Sequence, residues 1–118
     1  MTVNRFQRGE DIKFYVGQDS VEVFVAATEI KVVLYPDGID LSREANASKI
    51  VVLDPVAEDD TIVFTASHEA TAAMAAGDYN LELVYTVDGQ RSICKQERAF
   101  TLEDSATNHI STNNDNQQ

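Results

Sequence analysis

The feature that most constrains the fold is a long alternating strand followed by a tight turn, in the segment AAGDYNLELVYTVDGQRSI, residues 75–93. After Gly77, apolar or aromatic side chains occupy every second position: Tyr79, Leu81, Leu83, Tyr85 and Val87. This period of two predicts a strand with one buried face. Asp88-Gly89 follows directly, and these residue types accept the positive φ angles that a type I′ turn requires. The segment therefore predicts an antiparallel hairpin.

Short alternating runs before this hairpin predict further strands. They are separated by turn residues and cover residues 12–16, 28–35, 48–54 and 61–67. The last two runs are expected to pair with each other, with Asp54-Pro55 closing the first of them. Residues 19–27 also alternate, and they form either a short edge strand or an extended connection. The whole pattern predicts an all-β protein, an antiparallel β-sandwich of about seven strands.

The second strand of the hairpin is predicted over about residues 91–102, and its alternation is irregular. Gln96 and Arg98 share the parity of Phe100, which belongs to the core by its type. A β-bulge near Gln96-Glu97, or an exposed middle section of the strand, would reconcile the two parts.

One short helix is predicted in the crossing before the long strand, within residues 67–77. Ser67 can cap its start and Gly77 can terminate it. In immunoglobulin-like sandwiches, a tyrosine near the start of a late strand sends its hydroxyl back to the backbone of the preceding segment. We predict this role for Tyr79, against the alternative that it is only the first core aromatic of its strand.

The C-terminal residues have a different composition from the rest of the chain. Ile110 is the only aliphatic side chain larger than Ala in residues 104–118, so this segment cannot pack a core. We therefore predict a sandwich domain over residues 1–103 and a polar tail that is flexible or ordered only on a partner. Asn108, His109 and Ile110 are its candidate partner contacts.

The charge balance restricts the classes of partner. Twenty Asp and Glu residues against nine Lys and Arg residues give a net charge of −11, which repels nucleic acid and anionic membranes. A single cysteine excludes an internal disulfide. There is no apolar run long enough for a signal peptide or a membrane span, so synthesis in the cytoplasm is expected.

No arrangement of residues predicts catalysis. His68 and His109 are the only histidines, and no triad pattern accompanies them. Together with Cys94 they are too few to form a tetrahedral zinc site, and Cys94 is expected to be a small core residue. We expect no catalytic residue, no cofactor and no small-molecule substrate.

An acidic stretch leaves one metal hypothesis open. Oxygen ligands clustered in a loop are what calcium requires, but the stretch lacks the Asp-x-Asp-x-Asp-Gly pattern, so a solvated acidic turn is favoured. The residues concerned are Asp54, Glu58, Asp59 and Asp60.

Several short motifs together resemble a known family. They are RGEDIKF near the start, TEIKVVLY, GDYNLELVY, Asp-Gly and a closing FTLED, and the resemblance covers residues 5–103. The arrangement is similar to the immunoglobulin-like β-sandwich modules of tailed-bacteriophage structural proteins, nearest to the N-terminal domain type of baseplate upper proteins and related tail, collar or head-attached accessory proteins.

The resemblance implies a non-catalytic building block of a virion. A protein of this kind would be present in many copies and would work through contacts with other virion or assembly proteins. The alternative is a free-standing β-sandwich module that binds a glycan or calcium.

Overall fold

The structure is a computed structural model, and it describes residues 4–16, 27–58 and 61–109. Within these ranges there are eight strands: β1 (Arg5–Gln7), β2 (Ile12–Val16), β3 (Glu29–Pro36), β4 (Val51–Leu53), β5 (Pro55–Glu58), β6 (Thr61–Ala66), β7 (Gly77–Val87) and β8 (Gln90–Glu103). One α-helix and two 3₁₀ turns accompany them: α1 (His68–Ala73), Glu44–Lys49 and Ala106–His109. The predicted run at residues 19–27 lies, except for its last residue, outside the described residues.

The strands form two sheets. One has five strands in the order β1-β8-β7-β3-β4, and the other has three in the order β2-β6-β5. All pairs are antiparallel except β1 with β8, which is parallel. The predicted all-β sandwich is therefore confirmed, whereas its narrower assignment as immunoglobulin-like stays a prediction.

The core lies between the two sheets and centres on Phe100 of β8. The Phe100 ring is completely buried and stacks on Tyr79, with 5.3 Å between ring centroids. Phe6 and Phe14 approach it at 6.0 and 5.7 Å. The alternating residues of β3 and β6 complete the core: Val32, Leu34, Ile62, Phe64 and Ala66. The side chains at every second position of these strands, which the sequence predicts to be buried, therefore form the interior.

The predicted pairing of residues 48–54 with 61–67 is wrong. β4 pairs with β3 in the five-stranded sheet, whereas β6 pairs with β2 and β5 in the other sheet. Pro55 does not end the extended chain, because it is the first residue of β5. A proline is accepted at the first position of an edge strand, where its missing N–H removes no ladder bond. The chain therefore changes sheets at Asp54 without leaving an extended conformation.

The helix in the crossing is shorter than predicted. Ser67 caps α1 as expected, because its Oγ accepts a hydrogen bond from the Ala70 N–H at 3.2 Å. The helix ends at Ala73, however, and Met74 is extended and 6% exposed in the core. Gly77 is consequently not the helix terminator. It is the first residue of β7, with a φ of 140° that favours glycine.

Candidate interaction surface

Tyr79 closes the end of the sandwich from which β7 starts. Its side chain is 2% exposed, and its hydroxyl donates a hydrogen bond to the Ala75 carbonyl at 2.7 Å. Burial raises the pKa of the Tyr79 hydroxyl, so it remains a donor. The hydrogen bond predicted from the sequence, from this tyrosine back to the crossing, is present.

The turn between β1 and β2 binds the end of α1. The Arg8 guanidinium donates to the carbonyls of Met74 at 2.7 Å and Ala72 at 2.8 Å. These carbonyls lie at the helix C-terminus, where backbone acceptors have no helical partner. Arg8 also pairs with Asp104 at 2.9 Å, so it joins the helix end to the chain after β8.

The rest of the Arg-Gly-Glu-Asp motif binds the same helix. The Gly9 N–H donates to Thr71 Oγ1 at 3.0 Å, and the Thr71 hydroxyl donates to the Glu10 carbonyl at 2.8 Å. Asp11 accepts a hydrogen bond from the His68 N–H, which lowers the pKa of Asp11. The motif therefore has a structural role that was not predicted from the sequence. Four polar or glycine residues in a row were the available signal for such a role.

The hairpin at the opposite end of β7 has the predicted turn. Asp88 and Gly89 have φ angles of 53° and 79°, and Val87 pairs with Gln90 across them. Two central residues with positive φ define the type I′ geometry that matches the twist of the flanking strands. The prediction from Asp88-Gly89 is confirmed.

A bulge divides β8 into two parts. Tyr79 pairs with Phe100, but Leu81 pairs with Gln96, so Asn80 alone faces three residues of β8. Asn80 Oδ1 accepts a hydrogen bond at 2.8 Å from the N–H of Arg98, whose φ is 51°. The bulge predicted near Gln96-Glu97 is therefore confirmed, and a buried amide stabilises it.

The part of β8 between the hairpin and the bulge is an open edge. β1 pairs only with residues 101–103, and no other described strand lies against residues 90–99 on that side. In a two-residue hairpin the first pair, Val87 with Gln90, is hydrogen-bonded, and such pairs then alternate with non-hydrogen-bonded ones. The backbone N–H and C=O groups of Arg91, Ile93 and Lys95 therefore point away from β7.

The side chains of this open edge are accessible. Ile93 is 55% exposed, although it is a large aliphatic residue. Cys94 is exposed too, so the prediction that it belongs to the core is wrong. It lies opposite Leu83 and has the parity of the inward-facing residues, but β8 is an edge strand there among the described residues.

Acidic residues on the outer face of the sheet balance the cations of the open edge. Arg91 Nε lies 2.9 Å from Glu29 Oε1. This bond, with another from Thr86, lowers the pKa of Glu29 to about 2. Lys95 lies opposite Glu82, whose carboxylate accepts a hydrogen bond from the Tyr35 hydroxyl at 3.0 Å.

Two of the three predicted contacts of the tail follow the opposite end of β8. Asn108 and His109 belong to the last 3₁₀ turn, and His109 Nε2 lies 2.6 Å from Asp104, whose pKa it lowers. Ile110 lies outside the described residues. Asn108 and His109 follow the end of β8 that is remote from the open edge, and the role of all three residues as partner contacts stays a prediction.

The remaining hypotheses from the sequence concern a metal site in the acidic stretch and a membrane span. Asp59 and Asp60 lie outside the described residues, and among the residues that are described no three His, Cys, Asp or Glu side chains are grouped to hold a metal ion. Within the same ranges, no helix has the length and apolar content needed to cross a bilayer. No protein-family model matches the chain, and no curated protein matches it.

Proposed function

We propose that the protein is a non-enzymatic assembly component that binds other protein subunits of a larger particle through the open edge of β8. The observation that carries this proposal is the row of outward-pointing backbone groups at Arg91, Ile93 and Lys95, which no described strand pairs with. Unpaired edges of this kind bind additional strands readily, because both sides gain backbone hydrogen bonds.

The chemistry of the edge supports this use. Proteins that avoid edge pairing place charged side chains, prolines or bulges along the edge. Here the bulge comes only after Gln96, and residues 90–96 pair regularly with β7. The two charged side chains before the bulge are both engaged on the sheet, since Arg91 is bound to Glu29 and Lys95 Nζ lies over the Tyr35 ring. An exposed aliphatic side chain, Ile93, lies in the middle of the stretch.

The resemblance to sandwich modules of tailed-bacteriophage structural proteins gives the biological setting of the proposal. We assign the protein to a virion, as a tail, baseplate, collar or head-attached subunit present in many copies. The polar tail, with Asn108, His109 and Ile110, is the second contact in this proposal, since polar segments without a core can order on a neighbouring subunit.

Sedimentation of particles from the cells that produce the protein tests the proposal. The tagged chain, an Ile93→Pro variant and a chain ending at Asp104 would be compared in density gradients. We expect the unaltered chain to sediment with large particles and with stoichiometric virion proteins, and the Ile93→Pro variant to remain at the top. Ile93→Thr, which keeps the N–H, is the matched control and should sediment normally. A chain that remains at the top of the gradient in all forms would refute the assembly function.

A further inference from the structure

We propose that the partner of the open edge is a second copy of this chain, with two β8 strands paired antiparallel about a two-fold axis at Cys94. This inference rests on the proposed function, since it takes the open edge as the contact surface. It adds the identity of the partner and the register of the pairing.

Symmetry and hydrogen-bond direction limit the possible registers. In an antiparallel pair of identical strands, the two-fold axis is perpendicular to the sheet, so one residue must lie opposite its own copy. The groups available for pairing belong to Arg91, Ile93 and Lys95, the residues whose N–H and C=O point away from β7. The register must place these residues opposite one another or opposite Glu97, which directly follows the regular part of β8.

Charge selects one register among these. With Ile93 on the axis, Arg91 would lie opposite Lys95, and with Lys95 on the axis, two ammonium groups would oppose each other. Like charges directly opposite each other destabilise strand pairs. With Cys94 on the axis, Ile93 lies opposite Lys95 and Arg91 lies opposite Glu97. A register centred on Ser92 would place Lys95 opposite Gly89 in the turn and lose a ladder pair.

The register centred on Cys94 also satisfies the backbone. Ile93 and the partner copy's Lys95 form a hydrogen-bonded pair, and symmetry repeats it, so four bonds form around the axis. Cys94 itself occupies a non-hydrogen-bonded pair, in which Cα atoms are about 4.5 Å apart. That distance lies within the range that a disulfide spans, so Cys94 reports the register directly.

The charge distribution of the chain favours self-association at this edge. Residues 90–99 contain three cations, Arg91, Lys95 and Arg98, and one acid, Glu97, in a chain whose net charge is −11. Two copies that meet here keep their acidic excess apart. The cations themselves are balanced in part, since Arg91 is bound to Glu29 and Lys95 lies opposite Glu82.

The mass of the purified full-length chain in solution tests the pairing. Sedimentation velocity over a range of concentrations should show a reversible monomer–dimer equilibrium. Ile93→Pro removes an N–H that points away from β7, so it should abolish the dimer and leave the hairpin folded, which circular dichroism would verify. Ile93→Thr, with its N–H intact, should still dimerise. A chain that is monomeric at every concentration, or an Ile93→Pro variant that still dimerises, would overturn the inference.

Oxidation with diamide tests the register. Two Cys94 thiols form a disulfide, and the two hydrogens reduce the diamide to its hydrazine. We expect rapid formation of a covalent dimer in the native protein and none in urea. In a Cys94→Ser background, Ile93→Cys should cross-link to a Lys95→Cys chain, whereas exposed Thr65→Cys on β6 is the collision control. Equal rates for Cys94 and the Thr65 control would overturn the register.

The two proposals can fail separately. If the chain sediments with particles and loses them on Ile93→Pro substitution, but the purified protein is monomeric, the edge binds a different protein. The assembly function then stands and the second-copy inference falls. If the chain never enters a particle, the assembly function fails whatever the result in solution.

Discussion

The two halves of β8 differ although they belong to one strand and pair with one neighbour. The corner half, Phe100–Glu103, contributes buried side chains to the core and is covered by β1 on its second edge. The hairpin half, Gln90–Gln96, has mostly exposed side chains and an open edge. The bulge between them separates a part of the strand that stabilises the core from a part whose outer edge no described strand pairs with.

The difference between the halves arises from what packs against them. Both pair with β7 through the same ladder, and the inward-facing residues before the bulge, including Cys94, have the parity of Phe100. The Arg-Gly-Glu-Asp turn and α1 pack at the corner end, where hydrogen bonds from Arg8 and to Thr71 join them. Backbone pairing therefore does not determine burial, which depends on the layer above the sheet.

The largest expected effect on stability comes from truncating a core aromatic residue of β8, and truncation of an exposed aliphatic residue in the same strand gives the comparison. Phe100→Ala should destabilise the protein by about 3–5 kcal/mol, because it opens a cavity at the centre of the core. Ile93→Ala should change the stability of the monomer by no more than about 0.5 kcal/mol, since its side chain is exposed. Urea denaturation of both variants measures the difference. Similar losses in the two would show that the halves of β8 contribute equally.

A smaller loss of stability is expected when the Tyr79 hydroxyl at the corner is removed. Tyr79→Phe keeps the ring stack on Phe100 and removes the donor to the Ala75 carbonyl, and leaving that acceptor unpaired should cost about 1–3 kcal/mol. Tyr15→Phe is the matched control, because Tyr15 is 64% exposed. Thermal and urea denaturation would be compared. An unchanged stability in Tyr79→Phe would reduce the corner to simple packing.

Substitution in the turn at the hairpin end should reduce stability less than removal of the Tyr79 hydroxyl. Gly89→Ala places a Cβ at a φ of 79°, where nothing lies within 4 Å, so only backbone strain of about 1–2 kcal/mol is expected. Asp88→Gly relieves rather than introduces such strain and provides the comparison. Chemical denaturation with both variants separates turn strain from lost contacts. A stability of Gly89→Ala equal to that of the unaltered protein would contradict the type I′ assignment.

The smallest effect concerns the pH dependence of the outer face. The folded pKa of Glu29 is about 2, below its ordinary value of 4.5, mainly because Arg91 donates to its carboxylate. A lowered folded pKa stabilises the protein fully above pH 4.5, and this contribution is lost as the pH falls toward 2. The difference in melting temperature between the native chain and Glu29→Gln should therefore shrink on acidification.

Glu44→Gln, in the first 3₁₀ turn, serves as the control for the titration of Glu29. A carbon-13 NMR titration of the Glu29 carboxyl group would locate its midpoint directly. A midpoint near 4.5 would show that the Arg91 pair does not persist in solution.

Sequence reasoning was accurate where the physical cause is local. The period of β7, the positive φ demanded of Asp88 and Gly89, and the Ser67 cap each depend on neighbours a few residues away. Even the bulge in β8 was visible, since a polar residue at position 96 interrupted an apolar parity. The Tyr79 hydrogen bond spans only four residues, from Tyr79 to Ala75.

The features that were predicted incorrectly from the sequence depend on contacts between distant segments. The end of α1 depends on the burial of Met74 in the core. The sheet that β4 joins depends on its pairing with β3 rather than with β6. Cys94 has the residue type and parity of a core position, but it lies on the open part of β8 and is exposed. The role of Arg8 likewise depends on carbonyls that lie more than sixty residues away.

The sequence by itself determined the elements of this protein: an all-β chain, one long hairpin with its turn, a capped short helix and a buried tyrosine at the corner. Only the tertiary structure decided which sheet each strand joins, which half of β8 is covered, and that Cys94 and Ile93 lie on an open edge. The physical reason is that local patterns specify conformation and facing, whereas burial requires a second layer that only chain topology brings into place.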